Sequence, residues 1–574
     1  MTADAATVPA LLAHASETFP DAEALVDGDL RLTNRQLHDQ TLAVTRSLMA
    51  LGIRRGERVA LWAPNSARWI TTALGVLSAG AVLVPVNTRY KGDEARWLLE
   101  RSRARLLLVE NGFLGHDYLD MIGAEAPDAM EAPDAAEAPD ASESPETAQS
   151  PDTAKDTAGE RSPVPGLPAL AHVIDLARPA APDDGQDPSH RPRATPLEAF
   201  LDLGASIPTA DAVTRAAGVR EDDVSDVLFT SGTTGRPKGV MTTHRQNVRT
   251  YLGWSLRTGL TRGDRYLIIS PMFHCFGYKA GVLACLLRGA TMVLQPVFDV
   301  TETLRLIQHE TITVLPGPPT VFTTLLDAPG RDSHDLSSLR LAVTGAATVP
   351  VALVRRVRAE LFPVVVTAYG LTESCGTVTV CRAADDDETI ARTAGRPIDG
   401  VEVRIAGTDR EPLPTGQDGE ILVRGYNVML GYLDDPRATA ATVDDQGWLA
   451  TGDIGHLDEA GRLTLTGRLK EMFVVGGFNV YPAEIEQLLS RHDAVSEAAV
   501  IGVPDERQGE VGRAYVTLRP GTRATPDELT AFCRARLANF KVPREVVVLD
   551  TFPRNAAGKI SKADLDTRTD PDAR

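Results

Sequence analysis

The sequence has few cysteines, and their spacing suits neither metal binding nor disulfide pairing. The five residues Cys275, Cys285, Cys375, Cys381 and Cys533 include no C-x-x-C pair, and their number is odd. We therefore expect no structural zinc site and no disulfide framework; reduced thiols of a cytosolic protein fit this pattern better.

Long apolar runs and an excess of basic charge are also missing. No run of about 18 apolar residues occurs, so no transmembrane helix is expected, and the first residues lack the basic and apolar regions of a signal peptide. The net charge of -19 argues against a nucleic-acid-binding protein, because phosphate backbones require a basic surface. We expect a cytoplasmic protein with no nucleic-acid partner and no integral membrane association.

Aromatic residues make up only 5% of the 574 residues, whereas Ala, Val and Leu are plentiful. This length allows more than one domain, and this composition is typical of an α/β protein with buried Val/Leu-rich strands. In the first part of the chain, the hydrophobic pattern predicts helices and strands in alternation, which favours a parallel sheet with right-handed crossovers. The predicted helices are 34–51 and 69–80, and the predicted strands are 59–62, 82–86 and 105–110.

The composition changes between about 124 and 198. Residues 124–160 contain eleven acidic residues and one lysine, and Glu-Ala-Pro-Asp-Ala occurs there three times. A second proline-rich stretch covers 178–196. Such segments bury too little apolar surface to offset the entropy of ordering, so we predict a disordered insert in a surface loop. An acidic docking tail is the functional alternative.

The most informative stretch is TSGTTGRPKG, at 230–239, which follows a short apolar strand. Its glycines allow positive φ angles and a close approach of the backbone to a ligand. Exposed backbone N–H groups and hydroxyls offer donors to phosphate oxygens, and two cations add charge. The pattern differs from the Walker motif. It predicts a phosphate-binding loop, with an ordinary surface turn as the alternative.

Three later strands also end in small or polar residues. These segments are 266–277, 341–348 and 364–373. The carboxyl ends of strands are where open α/β sheets bind ligands, so we expect the three segments to converge with the glycine-rich loop. Tyr369, Thr372 and Glu373 offer an aromatic ring, a hydroxyl and a carboxylate, which suit a nucleobase, a phosphate and Mg²⁺.

Beyond residue 467 the pattern predicts a small α+β unit. Thr525 begins a capping box that leads into apolar residues at helical spacing, so Cys533 is predicted to be a core residue. Asp453 is predicted to lie in a tight turn, where an ordinary turn-forming role is the alternative. Lys559 lies in a loop near the end of the chain and, taken alone, is typical of a solvated charge.

Five motifs together resemble those of the adenylate-forming acyl-CoA synthetases. Luciferases and the adenylation domains of peptide synthetases resemble the same family. The motifs are TSGTTGRPKG, YGLTE at 369–373, TGD at 451–453, GRLKE at 467–471 and GK at 558–559. The resemblance covers nearly everything except the acidic insert. It implies an N-terminal adenylation domain (1–468) of parallel α/β sheets plus a small β-subdomain. It also implies a small mobile α+β C-terminal domain (469–574), with a hinge at Lys470.

The resemblance further implies a two-step reaction. A carboxylate attacks the α-phosphorus of Mg·ATP and pyrophosphate leaves; the thiol of coenzyme A then displaces AMP from the acyl-adenylate. By the same resemblance, Lys559 bridges the carboxylate and the α-phosphate, Thr372 contacts the α-phosphate, and His274 gates the acyl tunnel. Glu373, with Thr230, is expected to bind Mg²⁺.

The resemblance also implies the residues that bind the nucleotide and coenzyme A. Asp453 and Arg468 are expected to hold the ribose, Lys470 to act as the hinge, and 476–477 to admit pantetheine. The full set is Thr230, Ser231, Gly232, Thr233, Thr234, Gly235, Lys238, Gly345, Ala346, Ala347, Tyr369, Gly370, Asp453, Arg468, Lys470, Gly476 and Gly477. Within this set, the loop 230–238 is expected to hold the β- and γ-phosphates, and adenine is expected to lie between Tyr369 and 346–347.

The acid substrate is defined less sharply. No Asp or Glu lies between Pro271 and Arg288, where amino-acid activators carry one, so a small-molecule acid and coenzyme A are the expected partners. The stretches 276–281, 313–320 and 477–482 resemble the actinobacterial ligases that activate the indane-dione propanoate of steroid-ring catabolism. Lys279 is hypothesised to reach a ketone oxygen of such an acid; a cation pointing to solvent is the alternative.

Other functions stay open at this point. A ligase for medium- or long-chain fatty acids or aryl acids has the same motifs, and a luciferase-like oxygenase shares the adenylation half. A degenerate, non-catalytic binding protein is a further alternative. The oligomeric state, monomer or homodimer, is also open.

Overall fold

The computed structural model describes residues 6–123, 162–177, 192–230, 237–345, 349–469, 471–475, 478–505, 507–537, 539–554 and 559–566. The strands, in chain order, are β1 Glu23–Asp27, β2 Leu30–Thr33, β3 Arg58–Trp62, β4 Val82–Pro85, β5 Leu106–Val109, β6 His172–Asp175, β7 Thr195–Pro196, β8 Val224–Thr230, β9 Lys238–Thr243, β10 Arg265–Ile268, β11 Thr291–Leu294, β12 Val314–Pro316, β13 Leu341–Gly345, β14 Val364–Tyr369, β15 Thr379–Val380, β16 Arg396–Pro397, β17 Val401–Ala406, β18 Gly419–Gly425, β19 Gly431–Tyr432, β20 Leu449–Leu457, β21 Leu463–Arg468, β22 Phe473–Val475, β23 Phe478–Val480, β24 Val495–Asp505, β25 Gly509–Leu518 and β26 Glu545–Val548.

The α-helices are α1 Val8–Thr18, α2 Asn34–Ala50, α3 Ala67–Ser78, α4 Gly92–Ser102, α5 Tyr118–Gly123, α6 Leu197–Leu203, α7 Thr209–Ala217, α8 His244–Thr258, α9 Cys275–Gly277, α10 Ala284–Arg288, α11 Val300–Glu310, α12 Pro319–Leu326, α13 Val351–Glu360, α14 Asp387–Arg392, α15 Pro436–Thr442, α16 Pro482–Leu489, α17 Pro526–Arg534 and α18 Ala563–Asp566. A π-helical turn, Tyr278–Leu283, joins α9 to α10. Within the described ranges, no helix combines the length and apolarity that a membrane crossing requires.

Helix starts follow the capping signals of the sequence. At α2, the Thr33 hydroxyl accepts a hydrogen bond from the Gln36 N–H, and the Gln36 side chain accepts one from the Thr33 N–H. The same reciprocal pair joins Thr525 and Glu528 at α17. Each pair satisfies two backbone donors that the first helical turn leaves without a partner. Cys533, within α17, is fully buried in the core, as predicted.

One sheet carries the glycine-rich loop. Its strands lie in the order β19-β9-β8-β4-β3-β5-β6-β7, and the pairs from β8 to β7 are parallel. β8 and β9 form an antiparallel hairpin. The predicted alternation of helices and strands in the first part of the chain is confirmed by α2, β3, α3, β4 and β5.

Part of the predicted insert belongs to this sheet. β6 pairs in parallel with β5, with Val173 opposite Leu107, and Val164 and Leu170 are buried beside it. The prediction of disorder over 124–198 is therefore wrong for 162–177, because a short apolar run there extends the sheet edge, and for 192–198, where β7 pairs in parallel with β6 and α6 begins. Residues 124–161 and 178–191 lie outside the described residues.

The second sheet runs in the order β16-β15-β14-β13-β12-β10-β11-β1-β2, with parallel pairing from β14 to β1. Helix α3 is buried along almost its whole length. It contributes Trp69, whose ring lies 5.6 Å from that of Tyr278. Asn65, just after β3, donates to the Ser270 carbonyl and accepts from the Met272 N–H, each at 2.9 Å. The segments that follow β3 and β10 are therefore held together.

Two smaller sheets follow. β17-β18-β20-β21 is antiparallel throughout. β23-β22-β25-β24, with β26 parallel to β25, forms the last sheet and has its own apolar core with α16 and α17. This architecture confirms the predicted fold class of a large unit of parallel α/β sheets, a small β-subdomain and a smaller α+β unit. The domain boundary at 468/469 stays a prediction.

Candidate active site

The glycine-rich loop joins the two strands of the β8–β9 hairpin. Thr230 and Lys238 are directly paired across it, and the Thr230 hydroxyl donates to the Lys238 carbonyl at 3.4 Å. The hairpin thus brings both ends of the loop together at the edge of the parallel strands. The loop residues Ser231, Gly232, Thr233, Thr234 and Gly235 lie outside the described residues.

Lys238 and Glu373 meet through a tyrosine that the sequence analysis did not identify. The Lys238 ammonium lies 4.8 Å from the centre of the Tyr432 ring, and the Tyr432 hydroxyl donates to Glu373 Oε1 at 2.9 Å. Burial and the Glu373 carboxylate raise the pKa of Tyr432, so the phenol stays a donor. Antiparallel pairing of β19 with β9 places it there.

Thr372 and Glu373 lie in a tight loop after β14 that needs glycine on both sides. A Cβ at Gly370 would approach the Gly376 carbonyl oxygen to 2.4 Å, and Gly376 has φ +91°. Burial raises the pKa of the Cys275 thiol, and Thr372 lies close enough to act on that thiol in the opposite direction. Thr372 therefore lies beside the segment that carries His274.

The adjacent strands β13 and β14 are also closely apposed. Gly345 pairs with Ala368, whose carbonyl oxygen would lie 2.6 Å from a Cβ at position 345. A side chain there would push the strands apart, so Gly345 fits the predicted flat surface. Ala346 and Ala347 lie outside the described residues.

Tyr369, Asp453 and Arg468 form a second cluster. The Tyr369 hydroxyl donates to Asp453 Oδ2 at 2.7 Å, and Arg468 Nε lies 3.0 Å from Asp453 Oδ1. Asp453 and Arg468 are register partners on β20 and β21. The predicted tight turn at Asp453 is wrong: the residue lies within β20. Gly452, with φ +70°, and a register shift after residue 454 explain the turn-like local sequence.

His274 caps the short helix α9, and its Nδ1 accepts from the Phe276 N–H at 3.2 Å. Although the side chain keeps solvent access, the surrounding protein desolvates the imidazole and the charge of Lys559 disfavours a second cation. Together these effects lower the pKa of His274 to about 4. The ring is therefore neutral at physiological pH.

Lys559 reaches this cleft from the C-terminal part of the chain. Although Lys559 keeps solvent access, desolvation by the surrounding protein, followed by the charge of Arg468, lowers its pKa, while Asp453 acts in the opposite direction. With its effect on His274, these interactions connect Lys559 with the Asp453–Arg468 pair and with His274. The structure therefore brings Lys559 to the same cleft as His274, Asp453 and Arg468.

Lys279 does not line this cleft. Its side chain is fully buried and its ammonium lies 2.9 Å from Asp226 Oδ1. The hypothesis that Lys279 reaches a substrate ketone is therefore wrong, and so is the alternative of a cation in solvent. Of the other predicted site residues, Lys470, Gly476 and Gly477 lie outside the described residues.

The donor set of the cleft fits a magnesium ion bound together with ATP. Among the described residues, no cluster of three or more His, Cys, Asp or Glu side chains is arranged to hold a metal ion. Mg²⁺ in nucleotide enzymes is commonly held by one or two carboxylates and by substrate phosphates. Glu373, oriented by Tyr432 near Lys238, offers one such carboxylate.

Two family models match the chain. The model described as AMP-binding enzyme matches residues 12–433, and the model described as AMP-binding enzyme C-terminal domain matches 484–559. The chain belongs to the AMP-binding enzyme family. This match, together with the CoA ligases described next, confirms the sequence prediction of an ATP-dependent acid–thiol ligase that forms an acyl-adenylate.

Similar proteins extend over nearly the whole length of this AMP-binding enzyme. A relative from Rhodococcus jostii (strain RHA1), named 3-[(3aS,4S,7aS)-7a-methyl-1,5-dioxo-octahydro-1H-inden-4-yl]propanoyl:CoA ligase, is 48% identical over 563 residues, or 98% of each chain. A relative with the same name from Mycobacterium tuberculosis (strain ATCC 25618 / H37Rv) is 47% identical over 98% of this chain and 99% of its own. The crystal structure of an anthranilate CoA ligase with anthranoyl-AMP has a TM-score of 0.80 at 27% identity, covering 98% of this chain and 97% of that chain.

Proposed function

We propose that this AMP-binding enzyme is the CoA ligase for an indane-dione propanoate, the acid named for the Rhodococcus and Mycobacterium relatives. The observation that carries this proposal is identity of 48% and 47% to two ligases of the same acid over nearly the full chain. We also propose a cytoplasmic location. A homodimer stays a prediction that light scattering tests.

In the first step, the substrate carboxylate attacks the α-phosphorus of ATP and pyrophosphate leaves. Both reactants are anionic, so the step needs positioned cations more than covalent chemistry. We assign Lys559 to bridge the carboxylate and the α-phosphate, and Thr372 to donate to the α-phosphate. The electrostatic coupling of Lys559 with Arg468 and Asp453 supports this assignment.

The nucleotide is held from two sides in this proposal. The loop between Thr230 and Lys238 holds the β- and γ-phosphates, since its flanking strands bring backbone donors and a cation to one edge. Tyr369 lies against adenine, and Asp453 with Arg468 holds the ribose hydroxyls. The hydrogen bond between Tyr369 and Asp453 supports a shared orientation of the two groups.

Glu373 is the residue that we propose to hold Mg²⁺, with the Thr230 hydroxyl near the same phosphates. When bound, Mg²⁺ neutralises charge that develops on the leaving phosphates. The Tyr432 hydroxyl orients the Glu373 carboxylate, and Lys238 places positive charge over the tyrosine ring.

In the second step, the C-terminal unit reorients about Lys470 and the thiol of coenzyme A attacks the acyl carbonyl. The thiol gives its proton to solvent, a tetrahedral centre forms and collapses as the bond from the acyl carbon to the phosphate oxygen breaks, AMP leaves, and the thioester remains. We assign 476–477 to the path of the pantetheine arm. His274 borders the acyl side as a neutral ring, which places no extra cation beside an uncharged bicyclic diketone.

The test is pyrophosphate release from ATP with a panel of acids, with and without coenzyme A. The panel contains the indane-dione propanoate, alkyl acids of short, medium and long chain, and aryl acids. We expect kcat/KM to be highest for the indane-dione propanoate and thioester formation to require coenzyme A. A maximum on an alkyl or aryl acid would overturn the substrate while leaving the ligase class intact. No turnover of any acid would favour a non-catalytic binding protein.

A further inference from the structure

A buried polar network lies beneath the cleft, outside the residues that the proposed mechanism uses. At its centre is the ion pair between Lys279, in the π-helical turn, and Asp226, on β8; both side chains are fully buried. Lys279 also donates to the Thr242 hydroxyl at 2.9 Å. Although burial opposes the charged form, the Asp226 carboxylate raises the pKa of Lys279 above its ordinary value.

The Asp226 carboxylate is fully engaged. Oδ1 accepts from Lys279 and, at 2.7 Å, from the Thr242 hydroxyl. Oδ2 accepts from the Ser225 hydroxyl at 2.8 Å and from the Asn247 amide. A buried carboxylate with this many donors and an opposite charge holds its neighbours in one arrangement. Such a network favours a single local geometry.

The network also extends to the loop that carries Thr372 and Glu373. The Cys375 thiol donates to Asn247 Oδ1 at 2.9 Å, and its sulfur lies 3.7 Å from the Lys279 ammonium. Cys375 is fully buried and has φ +58°. It lies two residues after Glu373, so displacement of Cys375 changes the position of the loop.

Three site-bearing segments therefore meet at one ion pair. Asp226 lies four residues before Thr230 on the strand that enters the phosphate loop. Lys279 lies five residues after His274, and Cys375 follows Glu373. These segments come from different parts of the chain and from both parallel sheets, so local sequence does not fix their relative positions.

We propose that Lys279 is a positioning residue for adenylation, which holds the phosphate-loop strand, the Thr372–Glu373 loop and the segment after His274 in register. The inference rests on the proposed function for its reaction, but not on the identity of the acid. Misplacement of reacting groups by about 1 Å is enough to cost roughly a hundredfold in rate. Loss of the network is therefore expected to lower kcat for adenylation.

The experiment uses the full-length chain and any acid that the wild type turns over. Lys279→Met alone leaves an unpaired buried carboxylate, so we expect it to be unstable. The informative variant is Asp226→Asn/Lys279→Met, which removes both charges. We expect its thermal midpoint to lie within about 4 °C of the wild type. Its kcat for pyrophosphate release should fall at least about tenfold, with KM for acid and ATP changed less than about threefold.

A second readout separates positioning from general damage. Thioester formation from supplied acyl-adenylate needs no phosphate loop, so we expect it to stay within about threefold of the wild type. Arg340→Met is the matched control. Arg340 Nη2 pairs at 2.6 Å with the buried Asp264, which lies at the amino end of β10, opposite to the end that faces the cleft. It should lower the thermal midpoint without lowering kcat at a permissive temperature.

A folded double variant with wild-type kcat for pyrophosphate release would overturn the proposal. If the double variant does not fold, Cys375→Ala decides, because it keeps the ion pair and removes only the link to the Thr372–Glu373 loop. We then expect a several-fold loss of kcat at a temperature where the variant is fully folded, and unchanged kcat would overturn the proposal. Activity of the wild type on the acid panel tests the proposed function separately.

Discussion

The Tyr432 hydroxyl donates a hydrogen bond to Glu373 Oε1 at 2.9 Å, while the Lys238 ammonium lies over the same ring at 4.8 Å. One side chain thus orients the proposed magnesium ligand and contacts the cation at the end of the phosphate loop. The ring and the hydroxyl have separable roles, since the hydroxyl donates to Glu373 and the ring faces the Lys238 ammonium.

Tyr432→Phe is therefore expected to weaken the handling of Mg·ATP while leaving the fold intact. A hydrogen bond to a charged group contributes about 1.5–3 kcal/mol, so kcat/KM for Mg·ATP should fall roughly tenfold to a hundredfold. Steady-state kinetics at several Mg²⁺ concentrations measure this. Tyr426→Phe is the control, because the Tyr426 ring lies under Arg249 at 3.9 Å and outside the cleft. Equal kinetics for the wild type and Tyr432→Phe would remove Tyr432 from the site.

Strand periodicity, glycine spacing and helix caps predicted most of the fold and the segments that line the cleft. These signals predict structure well because each depends on the geometry of a few neighbouring residues. For example, α2, β14 and α17 lie where the sequence pattern indicated. Tyr432 was missed for the opposite reason. Its place follows from the pairing of β19 with β9, which joins residues almost two hundred positions apart.

Lys279 shows a second limit of local sequence. A lysine in an apolar helical segment is compatible with a ligand contact or with a solvated charge. The burial of Lys279 is stabilised by Asp226, more than fifty residues earlier, and only the fold brings the two together. Asp453 shows a third limit of local sequence. The glycine before it, Gly452, has a positive φ inside β20, and a glycine of this kind next to an aspartate is also typical of a turn.

Removal of the Arg468 charge is expected to shift the alkaline limit of adenylation upward. Lys559 must be protonated to bridge two anions, and desolvation together with Arg468 lowers its pKa below the ordinary 10.5. A lowered pKa means that Lys559 loses its proton at a lower pH. In the wild type, the fall of kcat/KM at alkaline pH (the alkaline limb of the profile) therefore begins at a lower pH. Arg468→Gln removes the repulsion, which raises the pKa of Lys559 and moves the limb to higher pH.

The measurement is kcat/KM for the acid in the pyrophosphate-release assay from about pH 6 to pH 10. The overall rate of Arg468→Gln is also expected to fall, so the position of the limb is the readout. Arg462→Gln, whose arginine pairs with Asp458 at 2.6 Å beside the same strand, should leave the limb in place. A limb that is unmoved or shifted to lower pH in Arg468→Gln would contradict the electrostatic coupling.

Restriction of the backbone angles of residue 470 is expected to slow thioester formation while sparing adenylation. Position 470 lies between β21 of one sheet and β22 of the next, where the family resemblance implies a hinge. Proline fixes φ near −65°, whereas hinge residues must change their backbone angles. We expect Lys470→Pro to keep pyrophosphate exchange within about threefold and to slow thioester formation at least about tenfold. Lys470→Ala, which keeps the backbone free, should retain both. Unchanged overall turnover of Lys470→Pro would refute the hinge.

Lys559→Ala is expected to abolish adenylation and to spare the second step. The ammonium neutralises two repelling anions only while the carboxylate attacks phosphorus, and the loss of one such transition-state contact costs about a hundredfold or more. Pyrophosphate release measures the first step, and thioester formation from supplied acyl-adenylate and coenzyme A measures the second. Lys541→Ala, whose lysine pairs with Glu484 at 2.7 Å in the same C-terminal unit, is the matched control. It should keep both steps. Equal loss of both steps in Lys559→Ala would mean that the lysine supports the architecture of the cleft rather than the attack on phosphorus. A residue that acts only on the first transition state should not slow the displacement of AMP by a thiol.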